Sequence, residues 1–154
     1  MDKSELFDFM SRQRLAVVSS LGPDGTPQSA LVDVAVTPEL EIVFDTLSTT
    51  RKHANLTARP RCSVVLGWSG EQTVQLEGVA ALLEGEELER CRDAYFAALP
   101  NAPARVGWPG IAYFVVRPRW IRFSDFEQSP PLIMELTLQA GSMEPVASTS
   151  AYQR

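Results

Sequence analysis

Hydrophobic positions recur along this chain with two periods, and the elements follow from where one period gives way to the other. Residues 15–20 (LAVVSS) and 27–36 (PQSALVDVAV) carry the two-residue period of strands. In the second, Ala30, Val32, Val34 and Val36 share one face, against Ser29, Leu31, Asp33 and Ala35 on the other. Between the two runs stands Gly22-Pro23-Asp24-Gly25, whose Asp-Gly pair provides the positive φ of a tight turn. Together they read as an antiparallel hairpin. A turn over 38–41 leads to a third strand over 41–45. Residues 61–66 (RCSVVL) and 73–83 (TVQLEGVAALL) give two more, with Gly78 marking a bulge or bend. Residues 111–116 (IAYFVV) and 120–123 (WIRF) predict a further two, split by Pro118. LIMELTL, at 132–138, has the length of one more short strand. The polar, small-residue segment 141–154 is expected to be mobile.

The helical period occurs three times. Over 2–13, Leu6, Phe7 and Met10 share a face, and Asp2 with Glu5 has the spacing of a capping box. Phe9 falls off that face and is expected to meet a partner or a second layer. Over 84–99, Leu88, Cys91, Tyr95 and Leu99 trace one side, while Glu84, Glu86, Glu87 and Glu89 fill the first turn and the solvated face. A loop over 104–110 follows. The third helix is the short one after residue 50.

The order is helix, three strands, helix, two strands, helix, two strands. Short turns and the lack of regular βαβ alternation exclude a parallel sheet. The pattern predicts a mostly β fold: an antiparallel, nearly closed barrel with peripheral helices. A barrel this small is filled by its own side chains. A planar ligand therefore belongs outside it, in a groove against the sheet or between two subunits.

Composition narrows the function classes. The 154 residues suit one domain, which we place at 1–127, with a C-terminal extension over 128–154 that is expected to order partly on a partner subunit. A net charge of -5 argues against non-specific nucleic-acid binding, and Arg117, Arg119 and Arg122 among aromatics do not overturn that. No run reaches the apolar length of a membrane span, and the N-terminus does not read as a signal peptide, so a cytoplasmic protein with no membrane partner is expected. Cys62 and Cys91 have no CxxC partner and read as buried free thiols. His53 is the single histidine, so neither a metal cluster nor a Ser-His-Asp triad is expected.

Candidate chemistry concentrates in residues 42–60, IVFDTLSTTRKHANLTARP. An apolar strand ends at Asp45. Ser48, Thr49 and Thr50 are N-cap types, a helical spacing runs through Ala54, Leu56 and Ala58, and Pro60 stops it. Arg51 and Lys52 thus stand in a helix's first turn, where the helix dipole disfavours cations. They read either as ordinary solvated charges or as a phosphate seat, in which free backbone N–H groups, hydroxyls and two cations surround one anion.

Four segments in this order resemble the pyridoxamine 5'-phosphate oxidase-like family of flavin-binding split barrels. They are LAVVSSLGPDGTPQSALV, STTRKHANLTARPRCSVVL, VQLEGVAALLE and IAYFVVRPRWIRFSDF, and the resemblance runs from about residue 6 to residue 126. It implies a split β-barrel, a homodimer, and flavin mononucleotide (FMN) in a cleft shared by both chains. It also implies that Thr49 or Thr50, Arg51 and Lys52 bind the FMN phosphate, that backbone groups of Leu31, Val32 and Asp33 meet the ring from strand two, and that Thr73 contacts the flavin early in strand five. Asn55 is expected to order the phosphate segment by local hydrogen bonds, and Trp68 or Trp108 to reach across the dimer. The arginine that many members carry on strand two is missing here. The family oxidase's arginine-rich C-terminal signature is missing too, the chain ending in QSPPLIMELTLQAGSMEPVASTSAYQR. The expectation is an FMN-dependent oxidoreductase of unknown small-molecule substrate, served by a nicotinamide electron donor, and not a dedicated pyridoxamine 5'-phosphate oxidase. Alternatives are a non-catalytic flavin-binding dimer and a relative that binds deazaflavin or haem.

Overall fold

Antiparallel pairing joins every strand to its neighbours in one sheet. The structure, a computed structural model, describes residues 1–139 and the backbone of 142–148. The strands are β1 (Leu15–Leu21), β2 (Pro27–Asp33), β3 (Ala35–Val36), β4 (Ile42–Leu47), β5 (Arg61–Leu66), β6 (Gln72–Leu82), β7 (Ile111–Asp125), β8 (Leu132–Gln139) and β9 (Ser142–Ser148). Three α-helices, α1 (Lys3–Ser11), α2 (Arg51–Ala58) and α3 (Gly85–Ala98), interrupt them. The pairing order is β2-β1-β5-β6-β7-β4-β3, with β8 added on β7 and β9 on β8.

That order begins with β2 and ends with β3, and only Val34 separates these two in sequence. The sheet must therefore curl until its two ends meet, which makes a split barrel. Val34 is fully buried at the junction, and its N–H donates to the Arg14 carbonyl at 3.0 Å. The run expected as one strand over 27–36 is two: the first pairs with β1 as far as Asp33, the second with β4.

The turn at Gly25 has the expected positive φ, 82°. The break expected at Pro118 does not occur, and β7 is one 15-residue strand. Pro118 falls at a bulge, where Glu77 faces Trp120 but Gly78 faces Pro118, leaving Arg119 as the extra residue. Gly78 is needed there, since a Cβ would lie 2.5 Å from the Arg117 carbonyl oxygen.

β4 and β7 are covered on both faces. Ile42, Phe44, Phe114 and Val116 point into the barrel; Val43, Tyr113 and Val115 point out against Cys91 and Tyr95 of α3. Their sequences are accordingly continuous apolar runs with little alternation. Asp2 and Glu5 form the capping box of α1, with N···O distances of 2.7 and 2.9 Å. Phe9 is not left for a partner: it is buried, its ring edge-on to Phe123 at 5.1 Å, because α1 closes one end of the barrel with two of its faces. Leu132–Gln139 pairs along β7 from Trp120 to Asp125. Within the segment expected to be mobile, Ser142–Ser148 pairs with β8, and the remaining residues lie outside those described.

Candidate functional site

The chain leaves β4 at Leu47 and turns into α2 within three residues. Ser48 donates its N–H to the Gly110 carbonyl at 2.7 Å, and Thr50 donates its own to the Leu47 carbonyl at 3.0 Å. Thr50 is the N-cap, its hydroxyl oxygen accepting from the His53 N–H at 3.4 Å. The same hydroxyl lies 2.8 Å from that of Thr46 and 2.9 Å from the Leu47 carbonyl. The amides of Arg51 and Lys52 precede the first i→i−4 bond, made by Ala54 to Thr50 at 3.3 Å.

In front of these amides lies a groove of ≈ 330 Å³. Val18 and Ser20 of β1, Gln28, Ser29 and Ala30 of β2, and Thr50, Arg51 and Lys52 line it. That volume is at the lower end for a small-molecule cleft. Neither Arg51 nor Lys52 takes part in an ion pair among the described residues. Burial holds the Lys52 ammonium below the usual lysine pKa, and Asp45 partly opposes the shift. A partly desolvated, unpaired cation beside free N–H groups is matched to an anion.

α2 is fixed to the hairpin by a residue whose reach the sequence did not disclose. Asn55 is buried and donates to the Ser20 hydroxyl at 3.1 Å and to Gln28 Oε1 at 2.9 Å. These are long-range bonds; the local kind expected is present as well, Arg59 Nη2 donating to Asn55 Oδ1 at 3.5 Å. Arg59 adds a bond from Nε to the Leu21 carbonyl at 2.9 Å. The one signal in the sequence was an amide side chain beside Leu56 on the inward side of a short helix. His53 packs edge-on against Phe114 at 5.5 Å and is not among the groove residues.

The remaining candidate residues lie elsewhere. Thr49 is exposed beside the groove without lining it. Leu31 is 60% exposed on the outer face, and Val32 is buried in the core. Asp33 is drawn to Arg105, at 3.7 Å. Gln28, Ser29 and Ala30, a few residues earlier on β2, are the ones facing α2. Thr73 belongs to a second groove, of ≈ 440 Å³, with Trp68, Glu71, Gln72 and Phe126. Thr73 is three positions along β6 from Leu76, which stands in register with Val64 and Val18. By strand geometry that is roughly 10 Å along and 10 Å across from the first groove. Trp108 is 51% exposed in the turn after Ala102–Arg105 and lines neither groove.

Cys91 is buried and Cys62 partly so; burial pushes the Cys62 thiol up to about 11, which keeps it protonated and unreactive. Among the described residues no helix is long and apolar enough to cross a membrane, and no group of three His, Cys, Asp or Glu residues is placed to hold a metal ion.

The family model for pyridoxamine 5'-phosphate oxidase matches residues 3–125. A pyridoxine/pyridoxamine 5'-phosphate oxidase of Nocardioides sp. is 37% identical over 93 residues, 60% of this chain and 42% of that protein. The match thus spans less than half the length of this curated relative. Among solved structures, a heme binding protein from Mycobacterium smegmatis superimposes with a TM-score of 0.76 at 19% identity, over 89% of this chain and 58% of that one. A pyridoxamine 5'-phosphate oxidase-related, FMN binding protein from Nostoc punctiforme does so with a TM-score of 0.71 at 12% identity, over 89% and 87%. At these identities the two likenesses bear on the fold alone. With a curled antiparallel sheet, the β4–α2 junction in place and the family model matched over most of the sequence, the chain belongs to the pyridoxamine 5'-phosphate oxidase-like family of split barrels.

Proposed function

We propose that this protein binds FMN and acts as a flavin-dependent oxidoreductase on a small molecule, as a homodimer that accepts electrons from a nicotinamide cofactor. The observation that carries the reading is the groove at the start of α2, where Arg51 and Lys52 stand, among the described residues, without ion-pair partners beside unbonded amides. The donor set fits a phosphate monoester: two cations and two unbonded N–H groups belong to one groove, while the Thr50 hydroxyl is already engaged by Leu47, Thr46 and His53 and holds the helix start in place. Arg51 and Lys52 would hold the phosphate. Gln28 and Ser29 offer polar contacts to the chain that leads away from it. When bound, the flavin supplies hydride or electron transfer through its N5.

The second groove supports a shared site. Trp68 and Phe126 are about half exposed and line this groove with Thr73, a lining suited to one face of a planar ring. In the proposed dimer the second groove of one copy would face the first groove of the other, and its aromatics would shield the flavin ring from water. The Nostoc relative's description as FMN binding agrees with this reading.

The Mycobacterium relative's description as heme binding prompts the other reading, but His53, the single histidine, packs against Phe114 and does not line the groove. The absorbance spectrum of the purified protein, with the mass of any small molecule released on denaturation, tests the proposal. A flavin spectrum, the mass of FMN and bleaching by a nicotinamide cofactor are expected. A haem band, the mass of a deazaflavin, or a colourless protein with no affinity for added FMN overturns it.

A further inference from the structure

The second groove carries a charge that no described residue balances. Trp68, Glu71, Gln72, Thr73 and Phe126 line its ≈ 440 Å³. Trp68 is 53% exposed and Phe126 49%, so two large aromatic side chains meet solvent on one small surface. Glu71, also exposed, belongs to the same lining, which includes no Lys or Arg. Its carboxylate takes part in no ion pair among the described residues.

The groove is held in shape from behind. Glu71 has a φ of 56° and follows Gly70, at 65°, so the turn that presents the acid is a tight one. Phe126 donates its N–H to the Glu71 carbonyl at 3.2 Å, which ties the acid to one aromatic wall through the backbone. Buried Asp125 accepts from Gln72 Nε2 at 3.1 Å, from Gln128 Nε2 at 2.8 Å and from the Glu127 N–H at 3.0 Å. Glu127 lays its carboxylate against Gly70, where a Cβ would come within 2.8 Å of Oε1. Neither Asp125 nor Glu127 has an ion-pair partner among the described residues. An acid in the lining, with two more bonded to or touching its neighbours, gives an aromatic surface a negative potential.

Such a surface sorts ligands by charge. It repels an anion and offers a neutral ring stacking alone. A positively charged ring gains the stacking, the attraction of the aromatic faces and that of Glu71. Charge spread over a ring is also less strongly hydrated than a compact ammonium, so it stacks at a lower desolvation cost.

We propose that the second groove seats a planar heteroaromatic cation of the N-alkylpyridinium class, stacked on Trp68 and Phe126 with Glu71 as its counter-charge. The seat needs no flavin. In the dimer proposed above its occupant would lie beside the flavin ring, and that placement alone rests on the flavin reading.

Calorimetric titration of the full chain with 1-methylnicotinamide, a permanent cation, and nicotinamide, the same ring without the charge, tests the seat. The wild type is expected to bind the cation about ten-fold more tightly. Glu71→Gln is expected to cut that preference to about three-fold, and Glu71→Gln/Glu127→Gln to below about two-fold, with folding checked by circular dichroism. Glu86→Gln, on α3 and in neither groove, is expected to leave it unchanged. Trp68→Ala is expected to weaken both probes alike, by roughly three- to ten-fold. Failure of the cation to bind, equal affinity for the two probes, or a preference that survives the double variant overturns the proposal. Tighter binding of benzylamine, whose charge is a pendant ammonium, overturns it too. If the cation fails to bind and sedimentation shows a dimer that dissociates on Glu71→Gln, the groove belongs to a second copy instead. Repeating the titration with FMN added separates the two readings. The cation is expected to bind at least as tightly, and its displacement by FMN overturns the proposal. A wild type that binds the cation but no FMN keeps the seat and loses the flavin reading.

Discussion

The two grooves on this chain are built in opposite ways. The first sets two cations, without ion-pair partners among the described residues, on a mostly apolar lining at a helix start; buried hydrogen bonds from Asn55 hold its walls together. The second is aromatic, contains an acid, and is lined by side chains that are half exposed. A wall fixed by long-range hydrogen bonds is complete within one chain. A wall of solvent-facing Trp68 and Phe126 has surface still to be covered. On the proposed reading, the difference assigns the phosphate end of the ligand to the single chain, and leaves the ring end in need of a second surface.

The comparison breaks most readily at the cations. Replacing Arg51 and Lys52 together by alanine is expected to abolish FMN retention, at about 1.5–3 kcal/mol for each charged contact, while the melting temperature holds. Equilibrium dialysis against FMN beside a thermal melt checks both halves. Next is the scaffold. Asn55→Ala leaves Ser20 and Gln28 without their partner and is expected to cost about 1–3 kcal/mol, lowering Tm on the order of 5 °C and weakening FMN binding as α2 loosens. An unchanged melt would show that the groove walls stand without that bridge. The smallest effect is expected at the second groove. Trp68→Ala should change folding stability by less than about 0.5 kcal/mol yet weaken flavin binding by about 0.5–1.5 kcal/mol. A large drop in stability there, by calorimetry, would make Trp68 a core residue and erase the contrast between the grooves.

Much of this was legible in the chain, for reasons that differ by region. The hairpin follows from alternation and the Asp-Gly turn, both local. The α2 groove was legible because hydroxyl cap, cations and stop fall within one continuous stretch, 42–60. The single long β7 was not, because Pro118 is a breaker by rule and is tolerated only by a bulge opposite Gly78, a residue forty positions earlier. The second groove joins Trp68, Gln72 and Phe126 from separate segments, and no spacing announces it. Arg105 pairs with Asp45 across 60 residues, a contact that no local spacing announces. On β2, the family resemblance put backbone groups of Leu31, Val32 and Asp33 beside the flavin ring, while the α2 groove is lined a few residues earlier, by Gln28, Ser29 and Ala30.

The central claim is that the α2 groove recognises a phosphate, and it is tested most directly by titrating FMN and riboflavin, which lacks only the phosphate, against the wild type and the Arg51→Ala/Lys52→Ala variant. The account predicts that the wild type binds FMN at least about a hundred-fold more tightly than riboflavin, and that the variant binds the two alike. Equal affinities in the wild type, or a preference for FMN that survives loss of both cations, would contradict it.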